Sequence, residues 1–374
     1  MTEPLADREH LLEIARRSHE VIRRYQDSGG AYPASPSFSA YRGYSWLRDG
    51  AFIAEGMSRY GDAESADAFH DWVAERLAER RDEVDELILR RAAGEQLAPA
   101  DMLPTRFAIA PDAGADEWWN FQTDGYGMWL WAVEVHATRH GRDLDRWRTG
   151  IEVATDYAAA FWDVPCYDWW EENVDKRHGS TLGALYAGLA AAADMAILDG
   201  ARRAKARASA DASRTLALDE GVAGSPPRLT KWLGGDQIDA SLAACVVPFG
   251  LVAPGDPIGA ATLDEIRARL DVGGGVHRYL ADQFFGGGLW LLLSCLVGWN
   301  EAATGDRGAA LARLRWTAAQ LTAEGEFPEQ VPTDLLNPEY RDEWVANWGP
   351  VATPLLWSHG MYLILADELG VTSR

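Results

Sequence analysis

Three carboxylates stand out among the residues able to do chemistry. Glu171 and Glu172 follow the Trp169–Trp170 pair in CYDWWEENVDKRHGST, and Glu329 lies in GEFPEQV. Cleaving a glycosidic bond takes two carboxyl groups with different tasks: one protonated, to donate to the leaving oxygen, and one ionised, to attack the sugar or activate water. The low-polarity bulk of Trp169 and Trp170 favours the neutral form of Glu171, and the adjacent charge of Glu172 pushes the same way, as a general acid requires. At Glu329, Pro328 stiffens the backbone and Gln330 stands where it can help hold a water. Taken singly, each glutamate has ordinary surface charge as its competing, somewhat weaker, reading.

Other chemistries find no support in the motifs. There is no Walker loop and no GxGxxG, and the triplets Gly273 to Gly275 and Gly286 to Gly288 lack the strand and spacing that phosphate binding needs. The eight His are dispersed and HExxH is absent, so no metal is expected. No GxSxG suggests a serine nucleophile. The expectation is chemistry with no cofactor.

These residues must be positioned by helices, because the chain shows helical periodicity almost throughout and hardly an alternating strand. Charged or mixed helices are expected over Ala6 to Gln26, Ala63 to Ala93, Leu144 to Trp162, Ala201 to Glu220, Thr262 to Leu270 and Asp306 to Glu324. Between them come apolar helices beginning near Gly50, Gly125, Leu182, Ala240, Gly288 and Pro354. Helices apolar all round belong in the middle of a protein and charged ones outside. Six hairpins in that alternation imply an all-α (α/α)6 barrel, an inner ring sheathed by an outer one, forming a single catalytic domain over residues 1–374.

The segments leading into the apolar helices carry the unusual side chains: YRGYSWLRDG, DEWWNFQTDGYG, CYDWWEENVDKRHGST, KWLGGDQID, VHRYLADQFFGGGLW and GEFPEQV with WGPVATPLLWSH. Helix capping needs one short polar residue and gains nothing from Trp or Arg. Six such segments in register predict a pocket at one mouth of the barrel. The 17 Trp, more than the 12 Tyr or the 10 Phe, suit flat faces for sugar rings. A pocket of Trp, Arg, Asp and Gln fits a neutral polyhydroxylated ligand.

The 374 residues are 47% hydrophobic and 25% charged, a globular composition, with a net charge of −22 that repels phosphate backbones and anionic lipid. Neither nucleic acid nor membrane is an expected partner. Three scattered cysteines, Cys166, Cys245 and Cys295, fit no disulfide framework. With no basic and apolar leader at the N-terminus, the chain reads as cytoplasmic.

In combination these segments resemble the catalytic domain of glycoside hydrolase family 15, the glucoamylase family, from about Tyr41 to about Asp367. That resemblance implies an (α/α)6 barrel and inversion at the anomeric carbon. YSWLRDG implies Arg48 and Asp49 as holders of the non-reducing-end glucose, with Trp46 beside them and Tyr41 near the attacking water. WWNFQTDG implies Trp118, Gln122 and Asp124 as pocket residues. YDWWEE implies Glu171 as general acid and Glu172 as a contact to the leaving sugar, flanked by Asp168 and Trp170. HRYLADQFFGGGLW implies Arg278 on substrate hydroxyls and Trp290 in the wall; PEQV and WSH imply Glu329 as general base with Trp357 behind it. Phe284 departs from the family, which more often has a tyrosine there, hydrogen-bonded to the counterpart of Tyr41.

A chain with length for the barrel alone is most similar to the bacterial isomaltose glucohydrolases, which argues against granular starch and for short α-1,6-glucosides. The α-1,4 linkage, the α,α-1,1 linkage of trehalose, a phosphorylase or uronate enzyme on the same scaffold, and a silent sugar-binding relative are the competing readings.

Overall fold

The structure, a computed structural model, describes residues 5–109 and 121–372. In chain order the helices are α1 (Leu5–Tyr25), α2 (Leu47–Tyr60), α3 (Ala63–Ala78), α4 (Arg81–Ala92), α5 (Asp124–His140), α6 (Arg148–Phe161) and α7 (Gly179–Asp194). They continue with α8 (Gly200–Glu220), α9 (Pro257–Leu270), α10 (Leu291–Ala303), α11 (Arg307–Ala318), α12 (Arg341–Trp348) and α13 (Leu356–Glu368).

The expected layering follows from side-chain patterning. Every residue of α2 from Leu47 to Ser58 is buried, so this helix can only sit inside. Helix α8 buries Ala206, Ser209, Ala210, Ser213 and Ala217, a single stripe at helical spacing, and so lies on the surface. The inner ring runs α2, α5, α7, a 3-10 helix over Ala240–Cys245, α10 and α13, and α13 packs back on α2 to close it. Helices α1, α3, α6, α8, α9 and α11 form the sheath, giving the (α/α)6 barrel. Within the ring α5 and α7 cross at glycines: a β-carbon on Gly188 would lie 2.2 Å from the Gly127 carbonyl oxygen.

Three elements differ from the sequence reading. The fourth inner element, expected as an apolar helix beginning near Ala240, is a short 3-10 helix over Ala240–Cys245. Asp239 caps its start by accepting the Ser241 N–H at 2.9 Å, and Pro248 bars α geometry at the residue before it. The long charged helix expected from Ala63 to Ala93 breaks after Ala78 and restarts at Arg81, whose guanidinium reaches Asp156 on α6 at 2.9 Å. Helix α12 forms where no helix is expected from the sequence.

Short antiparallel ladders tie the connections together. Tyr44–Trp46 pairs with Arg106–Ala108. Asp271–Val272, Gly275–Val276, Leu289–Trp290 and Gln330–Val331 make a four-stranded ladder. Its geometry is what brings Arg278, Trp290 and Glu329 together from segments far apart in sequence. Among the described residues no helix is long and apolar enough to cross a membrane.

Candidate active site

The N-terminal ends of α2, α10 and α13 face one cavity of about 1360 Å³. Trp46, Arg48 and Asp49 reach it from the start of α2, Trp290 from the start of α10 and Trp357 from the first turn of α13. Glu171 and Glu329 both line it.

Glu171 occupies a tight loop. Its backbone has φ +64°, a left-handed conformation that side chains with a β-carbon rarely adopt. Asp168 enforces it: one carboxylate oxygen accepts the N–H groups of Trp170 and Glu172, each at 2.9 Å, and the Asp168 carbonyl accepts the Glu171 N–H at 3.0 Å. The Trp46 indole N–H donates to Glu171 Oε1 at 2.6 Å, and the Arg48 guanidinium lies 3.9 Å from the same oxygen. Glu172 turns away toward Arg278 at 3.7 Å and accepts the Tyr279 hydroxyl.

On the other side Glu329 is held by the barrel end. Its N–H donates to the Ala352 carbonyl at 2.9 Å, and Gln330 locks the neighbouring strand by accepting the Gly288 N–H at 2.8 Å. Burial pushes the Glu329 carboxyl up to about 8, against the pull of the Arg278 charge and the Tyr41 hydroxyl. Tyr41 donates to Glu329 Oε1 at 3.1 Å, while Oε2 has no hydrogen-bond partner among the described residues. The Tyr41 ring meets the Trp46 ring edge-on at 5.5 Å, so the two aromatics link the two carboxylates.

Arg48 and Asp49 line the cavity although only 4% and 6% exposed. Arg48 donates to Gln122 Oε1 at 2.7 Å and Asp124 at 3.2 Å, and lies over the Trp357 ring at 5.7 Å. Burial raises the Asp49 carboxyl to about 7, with Arg48 opposing. Arg278 is gripped by Asp282, its Nε donating at 2.8 Å, and sits above Trp170 and Trp290 at 5.1 Å each. The indole N–H groups of Trp169, Trp290 and Trp357, all lining the cavity, have no acceptor among the described residues.

Gln122 and Asp124, expected as pocket residues, and Asp168, expected to flank the acid, are almost wholly buried and stand behind the residues that line the cavity. Gln122 and Asp124 brace Arg48, and Gln122 also donates to the Asp168 carbonyl at 2.9 Å. Trp118 falls outside the described residues. Sequence reasoning named KWLGGDQID as a mouth segment without seeing that Lys231 is buried in the wall, 2.8 Å from Asp239. It also missed Tyr279 and the two α12 tryptophans, Trp344 and Trp348, which line the same cavity. Among the described residues no cluster of His, Cys, Asp or Glu is arranged to hold a metal ion.

The chain is 60% identical to the isomaltose glucohydrolase of Kribbella flavida over 96% of its own length and 94% of that protein's. A solved wild-type glycosidase, 58% identical, superposes with a TM-score of 0.96 over 99% of this chain and 100% of its own. The family 15 glucoamylase of Hypocrea jecorina shares the fold at 15% identity, with a TM-score of 0.65 over 96% of this chain and 71% of its own. The model of glycosyl hydrolases family 15 matches residues 10–305. With the family's pattern running through most of its length, and a relative this similar end to end, the chain belongs to glycosyl hydrolase family 15 and is a glycosidase.

Proposed function

We propose that the protein is an inverting, exo-acting α-glucosidase that removes β-D-glucose from the non-reducing end of isomaltose and short isomalto-oligosaccharides. The observation that carries this reading is the meeting of Glu171 and Glu329 in one cavity that the almost wholly buried Arg48 and Asp49 also line. The preference for the α-1,6 linkage is supported by the likeness to the Kribbella flavida isomaltose glucohydrolase.

In this mechanism Glu171 gives its proton to the glycosidic oxygen as the bond from that oxygen to C1 breaks. A water attacks C1 from the opposite face and passes its proton to Glu329. The products are β-glucose and the shortened sugar, and exchange with solvent returns Glu171 to its acid form and Glu329 to its anion. A carboxyl raised to about 8 is a strong proton acceptor once ionised, and the Tyr41 hydroxyl and Arg278 are placed to favour that anion. Arg48, Asp49 and the unpartnered indole N–H groups would hold hydroxyls of the terminal glucose, with Trp46, Trp170, Trp290 and Trp357 as its walls. Glu172 would face the leaving sugar.

The raised Glu329 carboxyl also fits a second reading, in which the acid and base exchange roles. α-Glucosyl fluoride separates the two, because fluoride leaves without a proton. In the proposed order Glu171→Gln keeps most of its activity on the fluoride and Glu329→Gln loses it; exchanged roles reverse the pattern. We place the enzyme in a reducing, intracellular compartment, supported by three buried cysteines that are all free. Glucose release from isomaltose, maltose and trehalose tests the substrate. The reading requires the highest kcat/KM on isomaltose, and a higher value on either other sugar would overturn it.

A further inference from the structure

Lys231 takes no part in the reaction just described, yet the supports of the acid loop meet on it. Its ammonium lies 2.8 Å from Asp239 Oδ2, 3.2 Å from Asp168 Oδ2 and 3.4 Å from the centre of the Tyr279 ring. Each of these partners grips one part of residues 168–172. Asp168 takes the N–H groups of Trp170 and Glu172, Asp239 accepts the Trp170 indole N–H at 2.9 Å, and Tyr279 donates its hydroxyl to Glu172. Asp239 is itself anchored by the Ser241 hydroxyl at 2.7 Å.

The loop needs this support. A left-handed glutamate persists only where its surroundings over-determine it, and Glu171 sits between the two N–H groups that Asp168 holds. Asp168 and Asp239 are both almost wholly buried and share one cation. Without it, two buried carboxylates would face each other with no cation between them, and Asp168 and Asp239 would lose the contact that ties them together. Burial alone disfavours the Lys231 charge, but Asp239, Asp168 and Glu172 together hold its pKa above the ordinary lysine value.

We infer that Lys231 is a positioning residue for the general acid: it ties Asp168 to Asp239, and through them fixes residues 168–172 so that Glu171 meets the glycosidic oxygen. The inference rests on Glu171 being the acid, and the test separates the two claims. Turnover of isomaltose and of α-glucosyl fluoride is measured for the wild type, Glu171→Gln, Lys231→Met and Lys231→Arg, with a thermal melt of each. A residue that acts by placing the acid is needed for the sugar leaving group and dispensable for fluoride.

Lys231→Met is expected to lose about 10²-fold in kcat on isomaltose and less than about threefold on the fluoride, copying Glu171→Gln. Lys231→Arg, which keeps the charge without the compact fit, should show a smaller split in the same direction, and it is the variant read if the methionine form melts below assay temperature. Proportional losses on both substrates, no loss on either, or failure of both Lys231 variants to fold would overturn the inference. If Glu171→Gln shows no split while folded, the assignment of the acid fails instead.

Discussion

Replacing Glu329 by Gln should make the protein more stable while making it inactive. The Glu329 carboxyl is buried and raised from the 4.5 of a free glutamate to about 8, so between those values the folded protein holds a proton that the unfolded chain releases. Stability of the wild type therefore falls as pH rises through that window, and the loss is complete above about pH 8. The shift corresponds to about 4–5 kcal/mol, which water entering the cavity and local relaxation reduce to about 1–4 kcal/mol. Glutamine is neutral at every pH, fits the same space and can still accept the Tyr41 hydroxyl. At about 2.1 cal/mol/K per residue, a chain of this length gains about 1–5 °C in Tm from such a change. Melts of wild type and Glu329→Gln from pH 4.5 to pH 8.5 should start together and diverge, the variant higher at the alkaline end. Its kcat should fall by at least about 10²-fold. Equal or lower Tm for the variant at pH 8.5 would refute the claim that this carboxylate is held at the expense of stability.

Other substitutions probe the remaining parts of the site. Tyr41→Phe removes the donor that favours the Glu329 anion, so the acidic limb of kcat/KM should move to higher pH; an unmoved limb would contradict the coupling. Arg48→Met leaves Asp124 and Asp49 buried without their cation, at 3.2 and 3.6 Å in the wild type, and should cost about 3–5 kcal/mol in urea unfolding together with most of kcat/KM. A variant as stable as wild type would show that Arg48 does not compensate these acids. Gly188→Ala drives a methyl into the Gly127 carbonyl where α5 and α7 cross, and should cost about 1–3 kcal/mol with the active-site chemistry intact. Unchanged unfolding would mean that the crossing is looser than described.

The architecture was legible because burial leaves a compositional mark. A helix such as α2, apolar on every face, has no surface position open to it, and α8 with its stripe of small residues has no inner one. Boundaries that depend on tertiary contacts left no such mark: the break after Ala78 involves neither Gly nor Pro, and its counterpart is the Arg81 ion pair with a helix far along the chain. Helix α12 was missed because eight residues between turns carry too little periodicity, although Trp344 and Trp348 end up in the cavity wall. At the site, the residue types pointed to the groups proposed for the chemistry but not to which side chains line the cavity. Gln122 and Asp124 are buried against Arg48, and Asp168 is buried beneath the Glu171 loop. Lys231 gave the converse case: its partners Asp168 and Asp239 stand on separate loops, and only the fold shows that one cation serves both.

The most direct test of the central claim is time-resolved proton NMR of isomaltose hydrolysis, read before the anomers of glucose equilibrate. The account predicts that β-glucose appears first, with an equal amount of glucose released from the reducing end in its existing anomeric ratio. Early accumulation of α-glucose, or no hydrolysis of isomaltose at all, would contradict it.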